Sequence, residues 1–196
     1  MGLELFSPDD DEMMNAKTGN WFEQNPQRSA SNNSAVLSRR EDHAGLFRKL
    51  FQAQKEFGEP GFYFCDHPDA GCNPCAEISL LPVVDWELSA AERDELFRRG
   101  YQGDLPGTTR LAGFQHCNLT TINGHAAMTE TSFYKACLAA TAIGTLQAAY
   151  TDMPYLGPVT RLINEHDALL GVSICGFMDN PAVLFDQEIL TQGARL

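Results

Sequence analysis

Residues 169–174, Leu-Leu-Gly-Val-Ser-Ile, form an uncharged run that limits the folds open to this chain. Such a run, rich in branched apolar side chains, is typical of a parallel strand covered on both faces. A short helix is predicted before it, up to about His166, and Asp179-Asn180-Pro181 is typical of the start of another helix. This order of strands and helices predicts an α/β protein with a mostly parallel sheet or barrel.

Helices are predicted from caps and apolar spacing. Ser7 followed by Pro8 predicts a helix that ends near Gly19. Apolar residues at helical spacing predict a helix over 41–57, which Gly58 closes. Residues 89–92, Ser-Ala-Ala-Glu, form a capping box that opens a polar helix. Residues 131–150 have few charges, so we expect a long helix that is buried on more than one side.

Further strands are predicted at 34–37, 62–64, 78–84 and 114–122. Between the last two lies a segment rich in Gly, Pro and Thr. We interpret residues 86–113 as an excursion that leaves the fold and returns to it. A chain of 196 residues can form one domain with a real core or part of a larger domain.

The charge of the chain narrows its partners. A formal net charge of −12 argues against a nucleic-acid or membrane-surface binder, because both need clustered Lys and Arg. We therefore expect small-molecule or protein partners. The first residues have no pattern of a secretion signal, and no run reaches the roughly 18 apolar residues of a membrane span. A cytoplasmic location is expected, with the 6 cysteines reduced, metal-bound or catalytic.

Residues 71–80 concentrate the reactive side chains. Cys72, Asn73, Cys75 and Glu77 fall within six positions. Pro74 fixes its own φ and disfavours the helical conformation of Asn73. If the stretch is extended, its side chains alternate, and Asn73, Cys75 and Glu77 point to one side. The sequence therefore predicts that these three side chains can meet one substrate face.

Two other interpretations of these cysteines remain open. Cys65, His67, Cys72 and Cys75 are ligand types that suit tetrahedral zinc, which would make the protein a small zinc-stabilised interaction module. Alternatively, Cys72 and Cys75 could exchange disulfides as in thioredoxin-like proteins. That motif should open a helix, whereas a strand pattern follows Pro74 here.

The ordered motifs resemble the catalytic large chain of ribonucleotide reductases. The resemblance extends from about Leu5 to the C-terminus, and the form with Asn-Pro-Cys is most similar to the adenosylcobalamin-dependent class. An iron-dependent form, with the radical generated on a partner subunit, is the alternative within the family. The motifs are Gly19-Asn20-Trp21, Asn25-Pro26-Gln27-Arg28, Asn73-Pro74-Cys75-Ala76-Glu77-Ile78, Cys117-Asn118-Leu119, Leu170-Gly171-Val172-Ser173-Ile174 and Asp179-Asn180-Pro181.

This resemblance implies roles for four residues. Cys75 would become a thiyl radical that abstracts the 3′ hydrogen of a ribonucleotide. Glu77 would take the proton of the 3′ hydroxyl, and Asn73 would hydrogen-bond the substrate. Cys117 would be one half of the dithiol that supplies two electrons. The implied cofactor is adenosylcobalamin, and the implied partners are a ribonucleoside di- or triphosphate and a thioredoxin-like reductant.

The sequence departs from the family pattern in three respects. Cys75 and Cys117 are 42 positions apart, counted from 75 to 117, and the excursion at 86–113 accounts for the wide spacing. Cys72 stands where a disulfide with Cys75 would quench the radical, so we expect it to point away. The resemblance covers about half of the ten-stranded α/β barrel, and phosphate-binding loops and C-terminal redox cysteines are missing. We therefore expect a fragment that is inactive alone and is completed by the remainder of the barrel on the same or another chain.

Overall fold

A three-stranded parallel sheet lies at the centre of residues 1–81, the first of two compact units into which the chain divides. The computed structural model of the protein describes residues 2–105 and 110–196. The central strand is β2 (Ser31–Leu37), which lies parallel to β1 (Gly2–Phe6) and to β3 (Gly61–Phe64). Ser34 and Ala35 face opposite sides of β2 and are 1% and 0% exposed. The strands predicted at 34–37 and 62–64 are confirmed, and β1 was not predicted.

Four helices belong to this unit. They are α1 (Asp11–Met14), α2 (Trp21–Gln24), α3 (Pro26–Ser29) and α4 (Ala44–Phe57). The predicted helix over 41–57 is confirmed. It ends at Gly58, whose φ of 77° is left-handed and whose N–H donates to the carbonyl of Gln54. On its buried face, Leu50 packs in a core with Phe6, Met13, Met14, Ala35 and Leu37.

The helix predicted from Ser7 to Gly19 is wrong at both ends. Helix α1 begins at Asp11, because the carboxylate of Asp10 accepts a hydrogen bond from the N–H of Met13 at 3.0 Å. Asp10 therefore caps the helix in place of Ser7. The helix ends after Met14, and the N–H of Asn15 bonds back to the carbonyl of Glu12.

One short antiparallel pair of strands precedes Pro82 along the chain, and another follows it. In the first unit, β4 (Gly71–Cys72) pairs with β5 (Ser79–Leu80). In the second unit, residues 82–196, β6 (Val83–Val84) pairs with β7 (Leu111–Ala112), and helix α5 (Ala90–Arg98) lies between them along the chain. The predicted strand at 78–84 is therefore two strands, since Pro82 has no N–H to donate to a ladder. The capping box at Ser89 is confirmed.

The second unit contains a parallel pair of strands joined by helices. Strand β8 (Asn118–Asn123) pairs with β9 (Leu170–Cys175). Helices α6 (Glu130–Ala148) and α7 (Pro158–Asp167) connect them, with a 3-10 turn at Pro154–Leu156. After β9 come a 3-10 turn at Phe177–Asp179, helix α8 (Pro181–Leu184) and helix α9 (Gln187–Arg195). The predicted long helix and the predicted strand at 169–174 are confirmed.

Helix α6 buries one face. Its buried residues recur at helical spacing and are Phe133, Cys137, Ala140, Gly144 and Ala148. On the opposite face, Ile143 is 60% exposed and Leu146 is 76% exposed. Burial on more than one side was therefore a wrong prediction for the described chain, because the sheet of β8 and β9 is one layer and covers α6 from one side.

The fold is mixed α/β with small sheets. The longer strand pairs are parallel, as predicted, and the strands of the described residues form no closed barrel. The predicted excursion at 86–113 contains α5, and its residues 106–109 lie outside the described residues. Within 2–105 and 110–196, no helix has both the length and the apolar character to cross a bilayer.

Candidate active site

Asn73 organises the turn that joins β4 to β5. Its N–H donates to the carbonyl of Ile78 at 3.2 Å, and its Oδ1 accepts from the N–H of Ile78 at 3.0 Å. Its carbonyl also accepts from the N–H of Ala76 at 2.8 Å, which closes a four-residue β-turn with Pro74 in the second position. One buried residue therefore fixes both ends of the loop that carries Cys75.

The side-chain amide nitrogen of Asn73, Nδ2, makes no hydrogen bond within the described structure. Asn73 is 2% exposed, and its Nδ2 is a buried atom without a hydrogen-bond partner in the described structure. A buried amide N–H group that makes no hydrogen bond costs free energy, so such groups are rare in folded proteins. The Nδ2 atom of Asn73 is therefore a buried donor for which the described residues supply no acceptor.

Cys75 and Glu77 lie at the exposed tip of the loop. Ala76 between them has a φ of 65°, in the left-handed region. The predicted extended stretch is therefore wrong, because the β-turn and the left-handed residue reverse the chain. Asn73 is buried while Cys75 and Glu77 are exposed, so the three side chains do not alternate along one strand face. The dipeptide Asn73-Pro74 was the sequence signal for this turn.

Tyr63 fastens the hairpin of residues 71–80, which β4 and β5 form, to the end of β3. Its hydroxyl donates to the carbonyl of Gly71 and lies 3.3 Å from Oγ of Ser79. Tyr63 is 6% exposed, and burial raises the pKa of its hydroxyl. The hydrogen bond with Ser79 opposes that rise in pKa, and Cys65 and Cys72 add to it. Sequence reasoning did not find this contact, which depends on a tertiary fold that brings β3 to the hairpin.

The half-buried Cys72 thiol lies close to these groups. Cys72 is the ladder partner of Ser79, so the two side chains share one face of the hairpin. Burial raises the pKa of Cys72, and the charge of Glu77 and the neighbouring Cys65 raise it further. Cys72 is therefore held as a neutral thiol, and Glu77 is placed near enough to act on it.

Cys65 follows β3 and faces the segment that leads into the hairpin. Its Sγ lies 3.3 Å from the carbonyl oxygen of His67 and 4.0 Å from that of Ala70. The N–H of Ala70 bonds to the carbonyl of His67 at 3.2 Å, so the chain reverses at this point. His67 itself is exposed.

The zinc hypothesis needed Cys65, His67, Cys72 and Cys75 to converge. Across residues 2–105 and 110–196, no three His, Cys, Asp or Glu side chains are grouped so that they could hold a metal ion. The described geometry therefore does not gather these four side chains into a ligand set.

Cys117 lies in the second unit, while Cys75 lies in the first. It directly precedes β8, and the neighbouring backbone is held by polar contacts. The N–H of His116 bonds to Oδ1 of Asn164 at 2.8 Å, and Nδ2 of Asn118 bonds to the carbonyl of Leu169 at 2.9 Å. Cys117 is half-buried at this position. The predicted strand at 114–122 therefore begins later than expected, at Asn118.

The remaining cysteines lie in the second unit. Cys137 is buried in α6, and burial raises the pKa of its thiol. Cys175 ends β9 and is exposed, with its Sγ 3.5 Å from the carbonyl oxygen of Ile122. Cys137 is thus a core residue, and Cys175 is a surface thiol distant in sequence from the hairpin.

Comparisons with known proteins add no relative. No family model matches the chain, and searches of curated proteins and of solved structures find no match. A function for this chain is therefore inferred from the motifs of its sequence and from the geometry of the hairpin.

Proposed function

We propose that this chain carries the radical-cysteine region of a ribonucleotide reductase, which reduces ribonucleotides to deoxyribonucleotides by a thiyl-radical mechanism. In this proposal Cys75 is the thiyl radical, Glu77 is the general base and Asn73 holds the substrate. Cys117 is one thiol of the reducing pair. The assignment of these roles comes from the ordered motifs described above.

The observation that carries the proposal is the spare donor of Asn73. The Nδ2 atom of Asn73 is buried and has no partner among the described residues, so in this proposal the hairpin opens to bring this donor to a ligand oxygen. A ribose hydroxyl is an acceptor of the right kind. The same residue fixes the turn that carries Cys75, so substrate binding and thiol position depend on one side chain.

Cys75 and Glu77 are proposed to start the reduction at the 3′ position of the ribose. The Cys75 thiyl takes the hydrogen atom from the 3′ carbon, and the Glu77 carboxylate takes the proton of the 3′ hydroxyl. The 2′ hydroxyl then leaves as water. A dithiol that includes Cys117 supplies the proton that converts the 2′ hydroxyl into water, and its second hydrogen and two electrons reduce the 2′ carbon as it becomes a disulfide. Cys75 then returns a hydrogen atom to the 3′ carbon and is again a thiyl radical, and Glu77 returns its proton to the 3′ oxygen.

This chemistry requires that water is kept away from the radical. Cys75 is exposed in the structure, whereas a thiol that donates and regains a hydrogen atom needs a dry environment. We therefore propose that another polypeptide surface covers the tip of the hairpin in the working enzyme. The remainder of the α/β barrel, on the same or another chain, is the proposed cover.

The proposed cofactor is adenosylcobalamin, which supplies the radical when it is bound. Cavities of about 300 to 470 Å³ among the described residues are lined by side chains of the second unit. These cavities therefore offer no cradle at Cys75 for so large a group. We assign no step to it, and an iron-dependent radical source on a partner subunit is the alternative.

The experiment is a reduction assay on this chain together with the remainder of the barrel, which is supplied on the same or another chain. Ribonucleoside di- and triphosphates are incubated with a dithiol and with either adenosylcobalamin or the iron-dependent partner, and deoxyribonucleotides are separated by chromatography. We expect product from the wild type. We expect a large loss of kcat in Glu77→Gln, while Glu87→Gln, also an exposed carboxylate, keeps wild-type turnover. Absence of product with both radical sources would overturn the proposal.

A further inference from the structure

Several polar and thiol side chains lie where the end of β3 meets the hairpin. The proposed function gives them no role. Tyr63 and Cys65 are two positions apart, so they point to the same side of the chain as it leaves β3. The Tyr63 hydroxyl lies 3.3 Å from Oγ of Ser79, and Ser79 is the cross-strand partner of Cys72. Cys65 and Cys72 therefore both lie near the hydroxyl of the buried Tyr63.

The chain between the two thiols is folded back on itself. The hydrogen bond from the N–H of Ala70 to the carbonyl of His67 closes a turn. That turn brings the carbonyl oxygen of Ala70 to 4.0 Å from Sγ of Cys65, two residues before Cys72. The Tyr63 hydroxyl bonds the next carbonyl, that of Gly71. The strand that carries Cys72 is thus held against the end of β3 before any covalent bond forms.

We propose that Cys65 and Cys72 form a reversible disulfide that locks the hairpin of residues 71–80 to the end of β3. This pair is distinct from the radical cysteine and from the reducing thiol of the proposed function, and it does not depend on that function. Both thiols are free and half-buried in the structure.

The oxidant is a small-molecule disulfide such as oxidised glutathione. The thiolate of Cys65 attacks one sulfur of the small disulfide, which forms a mixed disulfide and releases one small thiolate. The thiolate of Cys72 then attacks the sulfur of Cys65, so the protein disulfide forms and the second small thiolate leaves. The two small-molecule thiolates that are released take up the two protons that Cys65 and Cys72 lose. Cys72 is assigned the intramolecular step because its pKa is raised by burial, and proximity compensates for a small thiolate fraction.

The competing bond is Cys72 with Cys75, which is closer in sequence. In the folded chain, Cys72 lies in the ladder and Cys75 lies at the exposed tip beyond the turn that Asn73 closes. The fold therefore selects Cys65 as the partner. In an unfolded chain, the shorter loop is favoured, since closing a loop costs more entropy as its length grows.

The test maps disulfides in the whole chain. The native protein is equilibrated in a glutathione redox buffer, the remaining thiols are blocked with N-ethylmaleimide, and the chain is cut by a protease that cleaves before aspartate. Cleavage before Asp66 and Asp69 places Cys65 on one peptide and both Cys72 and Cys75 on another. We expect a linked pair of peptides 42–65 and 69–84 by mass spectrometry. Glutathione adducts alone, or a disulfide within 69–84, would overturn the proposal.

Cysteine variants and unfolding in urea identify which cysteine of peptide 69–84 is linked to Cys65. The linked pair should persist in Cys75→Ser and in the surface control Cys175→Ser, and it should be lost in Cys65→Ser and in Cys72→Ser. Loss in Cys75→Ser would assign the bond to Cys75 and contradict the proposal. The wild type treated in urea should instead form the bond within 69–84. If native and unfolded chains gave the same distribution, the fold would not select the pair, and the inference would fail without reference to any enzyme activity.

Discussion

Oδ1 of Asn73 lies 3.0 Å from the backbone nitrogen of Ile78, so the first side chain of the loop holds its last residue. One backbone hydrogen bond, from the N–H of Asn73 to the carbonyl of Ile78, completes the clamp. The opposite atom of the same amide, Nδ2, is buried and has no partner among the described residues. One asparagine therefore shapes the turn with its side-chain acceptor and has a buried side-chain donor without a partner among the described residues.

Asn73→Ala should destabilise the first unit. The substitution removes the acceptor of the Ile78 N–H and leaves that donor unsatisfied, which costs about 1 to 3 kcal/mol. Urea unfolding is followed by the fluorescence of Trp21, in a Trp86→Phe background so that the second unit is silent. Asn15→Ala is the control, because the side chain of Asn15 bonds the carbonyl of Asp11 in an exposed position. Equal stability of the two variants would contradict the structural role of Asn73.

Tyr63→Phe should weaken the attachment of the hairpin to β3. The change removes the hydroxyl that contacts the carbonyl of Gly71 and Oγ of Ser79 and leaves the ring in place. We expect a loss of about 1 kcal/mol in the free energy of unfolding. Tyr155→Phe is a matched control, since Tyr155 is 82% exposed. Urea unfolding followed by far-ultraviolet circular dichroism, which reports on both units, measures both variants. An unchanged midpoint for Tyr63→Phe would show that the hydroxyl does not fasten the hairpin.

Local signals in the sequence predicted several elements correctly. Gly58 ends α4 and the capping box at Ser89 opens α5, because both features depend on residues within one turn of a helix. The start of α1 was wrong, since Ser7 and Asp10 are both good caps and the sequence alone does not decide between them. Strand β1 was missed because its pairing partner, β2, lies more than twenty residues away along the chain.

The sequence named the residues of the candidate site, but it did not predict how they are arranged. Cys75 and Glu77 do lie together at one tip, yet Asn73 is buried below them. Alternation along a strand failed because Pro74 sits in a β-turn, where hydrogen bonds of Asn73 determine side-chain direction. The contact of Tyr63 with Ser79 joins residues from separate strands, and no local pattern in the sequence encodes it.

Gly124→Ala should destabilise the second unit. An added Cβ would lie 2.5 Å from the carbonyl oxygen of Cys175 and 2.9 Å from that of Gly176, and backbone atoms cannot rotate away. We expect a loss of about 1 to 3 kcal/mol, in the range of overpacked cores. Gly45→Ala in α4 is the control, because nothing lies within 4 Å of its Cβ position. Urea unfolding followed by far-ultraviolet circular dichroism should show a lower midpoint for Gly124→Ala only.

Glu92 should make stability depend on pH. Its carboxylate accepts hydrogen bonds from Oγ and N–H of Ser89 and from Nε1 of Trp86. The hydrogen bonds with Ser89 lower the pKa of Glu92 below its ordinary value. A folded-state pKa below the unfolded one gives stability that is present above the unfolded pKa and is lost as the pH falls through the folded pKa.

The corresponding measurement is thermal unfolding of the wild type and of Glu92→Gln from neutral to acidic pH. The wild type should be more stable at neutral pH by less than about 1 kcal/mol, because solvent screens the charge of this half-buried surface group. The difference should shrink toward zero at acidic pH. Glu87→Gln, outside the capping box, serves as the control. A difference that stays constant with pH would show that Glu92 does not act through its charge.

The central claim is that Cys75 performs radical chemistry on a ribonucleotide, and its substitution tests the claim most directly. In the gene product that contains this chain, conversion of a ribonucleotide to its deoxy form is measured for the wild type, Cys75→Ser and Cys175→Ser. Both cysteines are exposed, so the two substitutions disturb the fold similarly little. We predict that product formation falls to background in Cys75→Ser and is retained in Cys175→Ser. Wild-type turnover in Cys75→Ser would contradict the account.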